Sequence, residues 1–540
     1  MVLLLDLSTE LLVEILGYLT TYTELRHACL VCRRFQSLTV PLLYRTVVLR
    51  GHTKHKIDPR DSAAFLKTRN PWVRFIRYFG VETLSCGLPC WDDQITGTFG
   101  PTVDDITLRF LQLLERDQLR GLIICDGIVI GEAILRHLES HQQRIEAIYE
   151  SKGIRTNHMW FHDPLRREIE HRGPIKRFLC GASGAPRTGL TDITVSDFYL
   201  EDMPFLHRVL EANQTTLRAV ELDMNVLCVP GIARQITAEM TDAGCKLDVP
   251  FKLTALRKLS IHHTSDLSND LVKLFTGVII DYSKLTFLKL HNCVGETLAF
   301  WESYPRGALR LKCLWVMDNY TAEPGVVNGL LLSFEGLVQL VLDFLHEPEL
   351  LRSGVVNHAG TLQKLYWRTT SIRRVDGGHV SRPGCGLSDD SLDFRSFVRL
   401  VELGACISEK VNLQATGRFR PPPYLQALYV LPANPPSSSW LFYPTREGVE
   451  EICRIVAPPS PSGAPFKYLL MGFRQPFCQW PLVLELSVRG DSDVEARPQP
   501  CFLRTDQYLF REVGESELVE AHPKLGFAME MEDWVPWDIR

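Results

Sequence analysis

The sequence predicts an α/β chain in two parts: a three-helix module over residues 1–50, then a solenoid of parallel β-strands joined by irregular helices. Three observations predict it. Leu11, Leu12, Ile15, Leu16 and Leu19 fall on one helical face, and two further apolar groups follow before residue 40. From Leu285 a strand motif recurs at Leu311, Leu337 and Leu362, at intervals of 26, 26 and 25 residues. The chain has 540 residues, 45% hydrophobic and 23% charged, which suits several ordinary domains or one elongated repeat architecture.

The N-terminal module is the most sharply patterned segment. Ser8 is placed to cap a first helix and Thr23 a second, with Leu25, Ala28 and Cys29 turned inward. "CLVCRRFQSL" supplies a third apolar group of Leu30, Val31, Cys32, Phe35 and Leu38. Pro41 ends or redirects the chain ahead of the strand-like "LLYRTVVL". Three short helices bury too little surface to stand comfortably alone. Their apolar positions also exceed one face, so part of the excess is expected to meet a neighbour or partner.

The order "LSTELLVEILGYL…ELRHACLVCRRFQSLTVPLLYR" resembles an F-box, the short helical motif that docks onto the Skp-type adaptor of cullin-based ubiquitin ligases. The matching positions are Leu7, then Leu11, Leu12, Ile15, Leu16 and Leu19, then Leu25. The "LVCRRF" signature follows from Leu30 through Val31 and Cys32 to Phe35, with Leu38, Pro41, Leu43 and Tyr44 completing the match. The "PLLYRTVVL" ending is similar in style to fungal members. Ser8 stands where the family usually has proline, and Phe35 where many members have tryptophan. The resemblance implies that these residues bind the Skp-type adaptor, with Leu11, Ile15, Leu16, Val31, Phe35 and Leu43 the expected anchors. It implies further contact, through the adaptor, with cullin and a RING subunit.

The second part repeats L-x-x-L-x-L in "LTFLKLHNC", "LKCLWVMDN", "LVQLVLDFL" and "LQKLYWRTT", a period-two strand with its apolar residues turned inward. Cys293 and Asn319 sit where leucine-rich repeats place Asn or Cys to bond the turning backbone; Leu345 and Thr370 interrupt that ladder. Upstream, "LRKLSIHHTSDLSNDLVKLF" from Leu256 fits the longer cysteine-type repeat. Weaker units begin near Leu119, Ile145, Ile175, Leu217, Val398, Leu425 and Phe466, and "VRFIRYFGVE" reads as the first. The expected organisation is therefore an F-box at 1–50, a linker at 51–72, a leucine-rich-repeat-like solenoid at 73–484 (clearest over 256–390) and an acidic segment at 485–540. "NPPSSSW", "APPSPSGAP" and "DGGHVSRPGCGLSDD" read as loops inserted between late repeats. The outward strand positions Lys289, His291, Trp315, Met317 and Tyr366 are expected on a solvent-facing surface.

Other classes are set aside on the same evidence. A net charge of −5 lacks the concentrated Lys and Arg that nucleic acid requires. No window reaches the uncharged apolar length of a membrane span, and Asp6 interrupts the opening apolar run too early for a signal sequence. Fifteen scattered cysteines, an odd number in apolar surroundings, read as reduced thiols of a cytoplasmic or nuclear protein. Cys29 and Cys32 form a C-x-x-C, as Cys86 and Cys90 form "CGLPC", but neither has a second pair nearby, so no metal is expected. His262-His263 ends a repeat strand and is read as an exposed turn. No nucleophile elbow, P-loop, zincin or dinucleotide fingerprint is present, and no cofactor is expected.

The expectation is a non-catalytic substrate receptor that contributes proximity, binding a target protein whose identity and contact residues the sequence leaves unknown. Two rival readings stay open: a Skp-binding scaffold acting outside ubiquitination, and an enzyme on a repeat scaffold with the N-terminal helices as a cap.

Overall fold

The computed structural model describes residues 6–17, 19, 22–53, 56–57, 66, 70–83, 103–125, 131–151, 178–179, 185–195, 203–223, 251–262, 280–291, 293, 307–317, 324–344, 348–375, 378–383, 396–406, 422–431, 467–471, 482–488, 501–504 and 508–512. The chain divides into two compact units, one of Met1–Asp223 with Arg234–Ala255 and Val535–Arg540, the other of Met224–Ala233 with Leu256–Trp534.

The first unit opens with α1 (Thr9–Gly17), α2 (Tyr22–Val31) and α3 (Arg33–Leu43). A series of parallel strands follows: β1 (Thr46–Thr53), β3 (Tyr78–Thr83), β4 (Gly121–Cys125), β5 (Ala147–Ser151), β6 (Asp192–Val195) and β7 (Ala219–Asp223). The short β2 (Lys56–Ile57) folds back antiparallel on β1. Helices Val103–Gln112, Glu132–His141 and Met203–Ala212 lie between successive strands, as parallel pairing requires a crossover.

The second unit continues the same construction. β8 (Lys258–His262), β9 (Phe287–His291), β10 (Cys313–Met317), β11 (Gln339–Phe344), β12 (Lys364–Val375), β14 (Glu402–Cys406), β15 (Ala427–Leu431) and β16 (Tyr468–Met471) pair in parallel, each with the next. β13 (Gly378–Pro383) turns back antiparallel on the end of β12, so part of the "DGGHVSRPGCGLSDD" insertion is a hairpin arm. β17 (Leu482–Val488), β18 (Cys501–Arg504) and β19 (Tyr508–Glu512) close the described chain with antiparallel pairings. This is the α/β class expected: N-terminal helices, then leucine-rich-repeat-like parallel strands.

The repeat leucines explain the stacking. Leu285, Leu288 and Leu290, then Leu311, Leu314 and Val316, then Leu337, Leu340 and Leu342, are all buried. Because adjacent strands are in register, each leucine meets the same position of the next unit, giving one continuous core that no single repeat could form alone. Cys293 takes the role its position suggests, its buried thiol lying 3.6 Å from the Ile261 carbonyl of the preceding unit. Asn319, the corresponding residue of the next repeat, and the unit read at Ile175 fall outside the described residues.

A second set of polar contacts ties the turns together. The Gln142 side chain accepts from the Leu119 amide at 3.0 Å and donates to the Glu115 carbonyl at 2.8 Å. Asn213 repeats the arrangement, accepting from Leu190 N at 2.8 Å and donating to Arg187 O at 2.7 Å. Both residues directly follow a helix and satisfy backbone groups of the preceding turn that would otherwise be buried and unpaired. His358 stands in the same place after Arg352–Asn357, its Nε2 2.9 Å from the Leu331 carbonyl. Burial drives the pKa of its imidazole down to about 4.

The opposite face of the sheet differs from expectation. Lys289, Trp315 and Tyr366 are buried, while His291 and Met317 are half-buried rather than solvent-facing. Large side chains there lie across their neighbours. The Lys289 ammonium is 5.4 Å from the Trp315 ring centre, and the Tyr366 ring lies over Gly404, where any Cβ would strike it. Tyr366 donates to Glu402 at 3.1 Å, and Lys364 pairs with the same carboxylate at 2.8 Å. Burial nonetheless raises the Glu402 pKa above the usual carboxylate range, the opposing pull of Lys364 notwithstanding.

Candidate docking site

The N-terminal helices assemble around a small core of Leu12, Leu16, Ala28 and Phe35, with Leu7, Leu19, Cys32, Leu38 and Leu42 packed against it. Each helix start has a local cause. The Ser8 hydroxyl accepts from the Leu11 amide at 3.3 Å, which the proline common at this position could not do. The Glu10 carboxyl is held below its usual range by its own backbone amide and then by Ser8. α2 begins at Tyr22, a residue ahead of Thr23, so Thr23 lies within the helix rather than capping it.

Cys32 has a role that the C-x-x-C spacing did not suggest. It is extended, with φ −164° and ψ 168°, and separates α2 from α3. Its sulfur accepts from the Phe35 amide at 3.4 Å, capping the third helix. The hydrogen-bond signal legible in the sequence is a cysteine three residues before an aromatic anchor, preceded by apolar residues and followed by two arginines. One of those arginines, Arg34, donates to the Leu7 carbonyl at 2.7 Å and binds the lead-in segment to α3. α3 continues through half-buried Pro41 to Leu43, two residues further than the proline alone suggests.

Of the residues matching the docking motif, burial makes two groups. Leu12, Leu16 and Phe35 are buried, and Leu7, Leu19, Cys32 and Leu38 are half-buried against them, all holding the helices to one another. Leu11, Ile15, Leu30 and Val31 point away from that core, with Leu30 77% and Val31 65% exposed. Val13, which the motif does not single out, is also exposed. Leu11 and Ile15 are one turn apart on α1, while Leu30 and Val31 close α2. Among the described residues of this domain, five large apolar side chains thus face solvent.

The remaining motif positions lead into the sheet. Half-buried Leu43 ends α3, and the Tyr44 ring stacks on Trp72 with centres 5.9 Å apart and planes 16° apart. Trp72 stacks in turn on Phe75 at 6.3 Å. The Arg45 carbonyl accepts from both Arg77 N and Tyr78 N, at 2.8 and 3.0 Å, and β1 starts at the next residue. The three N-terminal helices therefore join the first strand pair directly.

No group of three or more His, Cys, Asp or Glu side chains placed to hold a metal ion occurs among the described residues. Among those residues, also, no helix is long and apolar enough to cross a membrane.

Residues 5–50 match a family model described as F-box-like, so the chain carries an F-box-like domain over that span. No curated protein matches the chain. Among solved structures, a chain of the yeast Rad7 and Elc1 complex aligns at 12% identity over 61% of this chain and 72% of its own length, with a TM-score of 0.36. An internalin, InlF, of Listeria monocytogenes aligns at 11% identity over 76% and 87%, with a TM-score of 0.27.

Proposed function

We propose that the chain is a non-catalytic substrate receptor. Its F-box-like domain docks on a Skp-type adaptor and so joins a cullin–RING ubiquitin ligase, while the repeat units hold a target protein. The single observation that carries this reading is the exposed apolar set of Leu11, Val13, Ile15, Leu30 and Val31 on a domain matching the F-box-like model. Fully burying one such side chain in an interface contributes about 1.5–3 kcal/mol, so a few anchors suffice for tight docking. The chain then supplies proximity: a target held beside a charged conjugating enzyme meets it at high effective concentration, and no bond is made or broken on this polypeptide.

The test is recovery of adaptor, cullin and RING subunit with the tagged full chain, compared with an Ile15→Asp, Leu30→Asp variant. Wild type should bring down all three and the variant none. Adaptor without cullin would point instead to a scaffold outside ubiquitination. Equal recovery of all three with both proteins would remove the docking assignment.

A further inference from the structure

We propose that His262 and His291 form a two-histidine binding site for a divalent transition-metal ion of the zinc or copper class. The two residues are in register on the neighbouring parallel strands β8 and β9, so they emerge from one face of the sheet side by side. Their Nδ1 atoms stand 3.2 Å apart, with ring centres 5.2 Å apart and planes at 89°. Two nitrogens bound to one tetrahedral Zn²⁺ ion are separated by about 3.3 to 3.4 Å, given Zn–N bonds of about 2.0–2.1 Å. The pair therefore already has the spacing of two ligands of one ion. Imidazole is a suitable donor for zinc, copper and nickel alike.

In the metal-free chain the two rings share one proton between Nδ1 atoms. On metal binding that proton moves to Nε2 of the same ring, which leaves both Nδ1 lone pairs for the ion and both imidazoles neutral. Burial of His262 and the sheet backbone fix the donors beforehand, so little conformational freedom is lost. Lys289, two residues before His291 and buried on the same face, has its ammonium 5.4 Å from the Trp315 ring centre. Met317 is in register with His291 on β10 and offers a thioether on the third strand of the row. No group of three or more His, Cys, Asp or Glu side chains occurs there among the described residues, so the two imidazoles are the ligands assigned.

The experiment uses the reduced full chain at neutral pH, with Zn²⁺ as the probe. Carbethoxylation of His291 by diethyl pyrocarbonate is followed by peptide mass spectrometry with and without stoichiometric Zn²⁺. Several-fold slower modification in the presence of Zn²⁺ is expected, and loss of that protection in His262→Gln. Calorimetric titration should show one Zn²⁺ site fewer in both His262→Gln and His291→Gln. An unchanged His291 rate in the wild-type chain overturns the proposal whether or not the variants fold, and would leave a proton-sharing pair. Undiminished protection in a folded His262→Gln variant overturns it equally.

Discussion

Burial separates the apolar side chains of the F-box-like domain into those that hold its helices together and those left facing water. Phe35 packs with Leu12, Leu16 and Ala28, so Phe35→Ala should cost about 3–5 kcal/mol in the stability of that domain. Hydrogen exchange of α1 to α3 in the full chain reads this directly; protection unchanged by the substitution would show that Phe35 is not an anchor of the core. Leu30, by contrast, is 77% exposed, and Leu30→Asp should change stability by no more than about 0.5 kcal/mol. His358 makes a residue-scale prediction of a different kind. Its pKa is about 4 in the folded chain against 6.5 as the ordinary value, so between those pH values the unfolded chain binds a proton that the folded chain excludes. Stability is complete above pH 6.5, falls as pH drops towards 4, and loses roughly 3 kcal/mol across that window. Urea unfolding at several pH values should show a shallower slope for His358→Gln than for wild type. Parallel slopes in the two proteins would contradict the assignment.

At the scale of elements, the repeats that were plain in the sequence are those whose spacing is nearly constant. Leu285, Leu311, Leu337 and Leu362 each begin a unit whose three apolar positions are buried, and β9 to β12 follow from them. β6 was missed although Leu190, Ile193 and Val195 carry the same pattern, because the interval before it is irregular and one isolated match has no weight. The buried amides Gln142 and Asn213 were missed for a different reason. The repeat pattern marks the residue after each strand, whereas these follow the helix and bond backward to the preceding turn. Asn213→Leu removes partners from the Leu190 amide and the Arg187 carbonyl, and leaving buried backbone groups unpaired costs about 1–3 kcal/mol each. A total of about 3 kcal/mol is expected in urea unfolding, and a loss under about 0.5 kcal/mol would show that water replaces the side chain. The outward strand positions are buried or half-buried where the sequence predicts solvent-facing ones, because strand alternation assigns a side chain to a face without saying what its neighbours do. The Lys289 ammonium lies by the Trp315 ring and the Tyr366 ring lies over Gly404, so each large ring meets a residue of the adjacent strand.

At the scale of the whole molecule, a three-helix F-box-like domain too small to be comfortable alone is joined to the first strands of a parallel sheet. Tyr44 stacked on Trp72, and the Arg45 carbonyl shared by Arg77 and Tyr78, make the helices and the first strands one piece. Which side chains would face an adaptor was legible only in part: the motif names Leu16 and Phe35 together with Ile15 and Leu30, and only burial tells core from surface. The central claim is that the exposed set binds the adaptor, and the most direct measurement is the affinity of the full chain for purified Skp-type adaptor. Wild type is to be compared with Ile15→Asp and Leu30→Asp, each checked for an unchanged thermal melt. The account predicts a loss of at least about tenfold for each, equivalent to about 1.4 kcal/mol, without loss of fold. Equal affinity in wild type and both folded variants would contradict it.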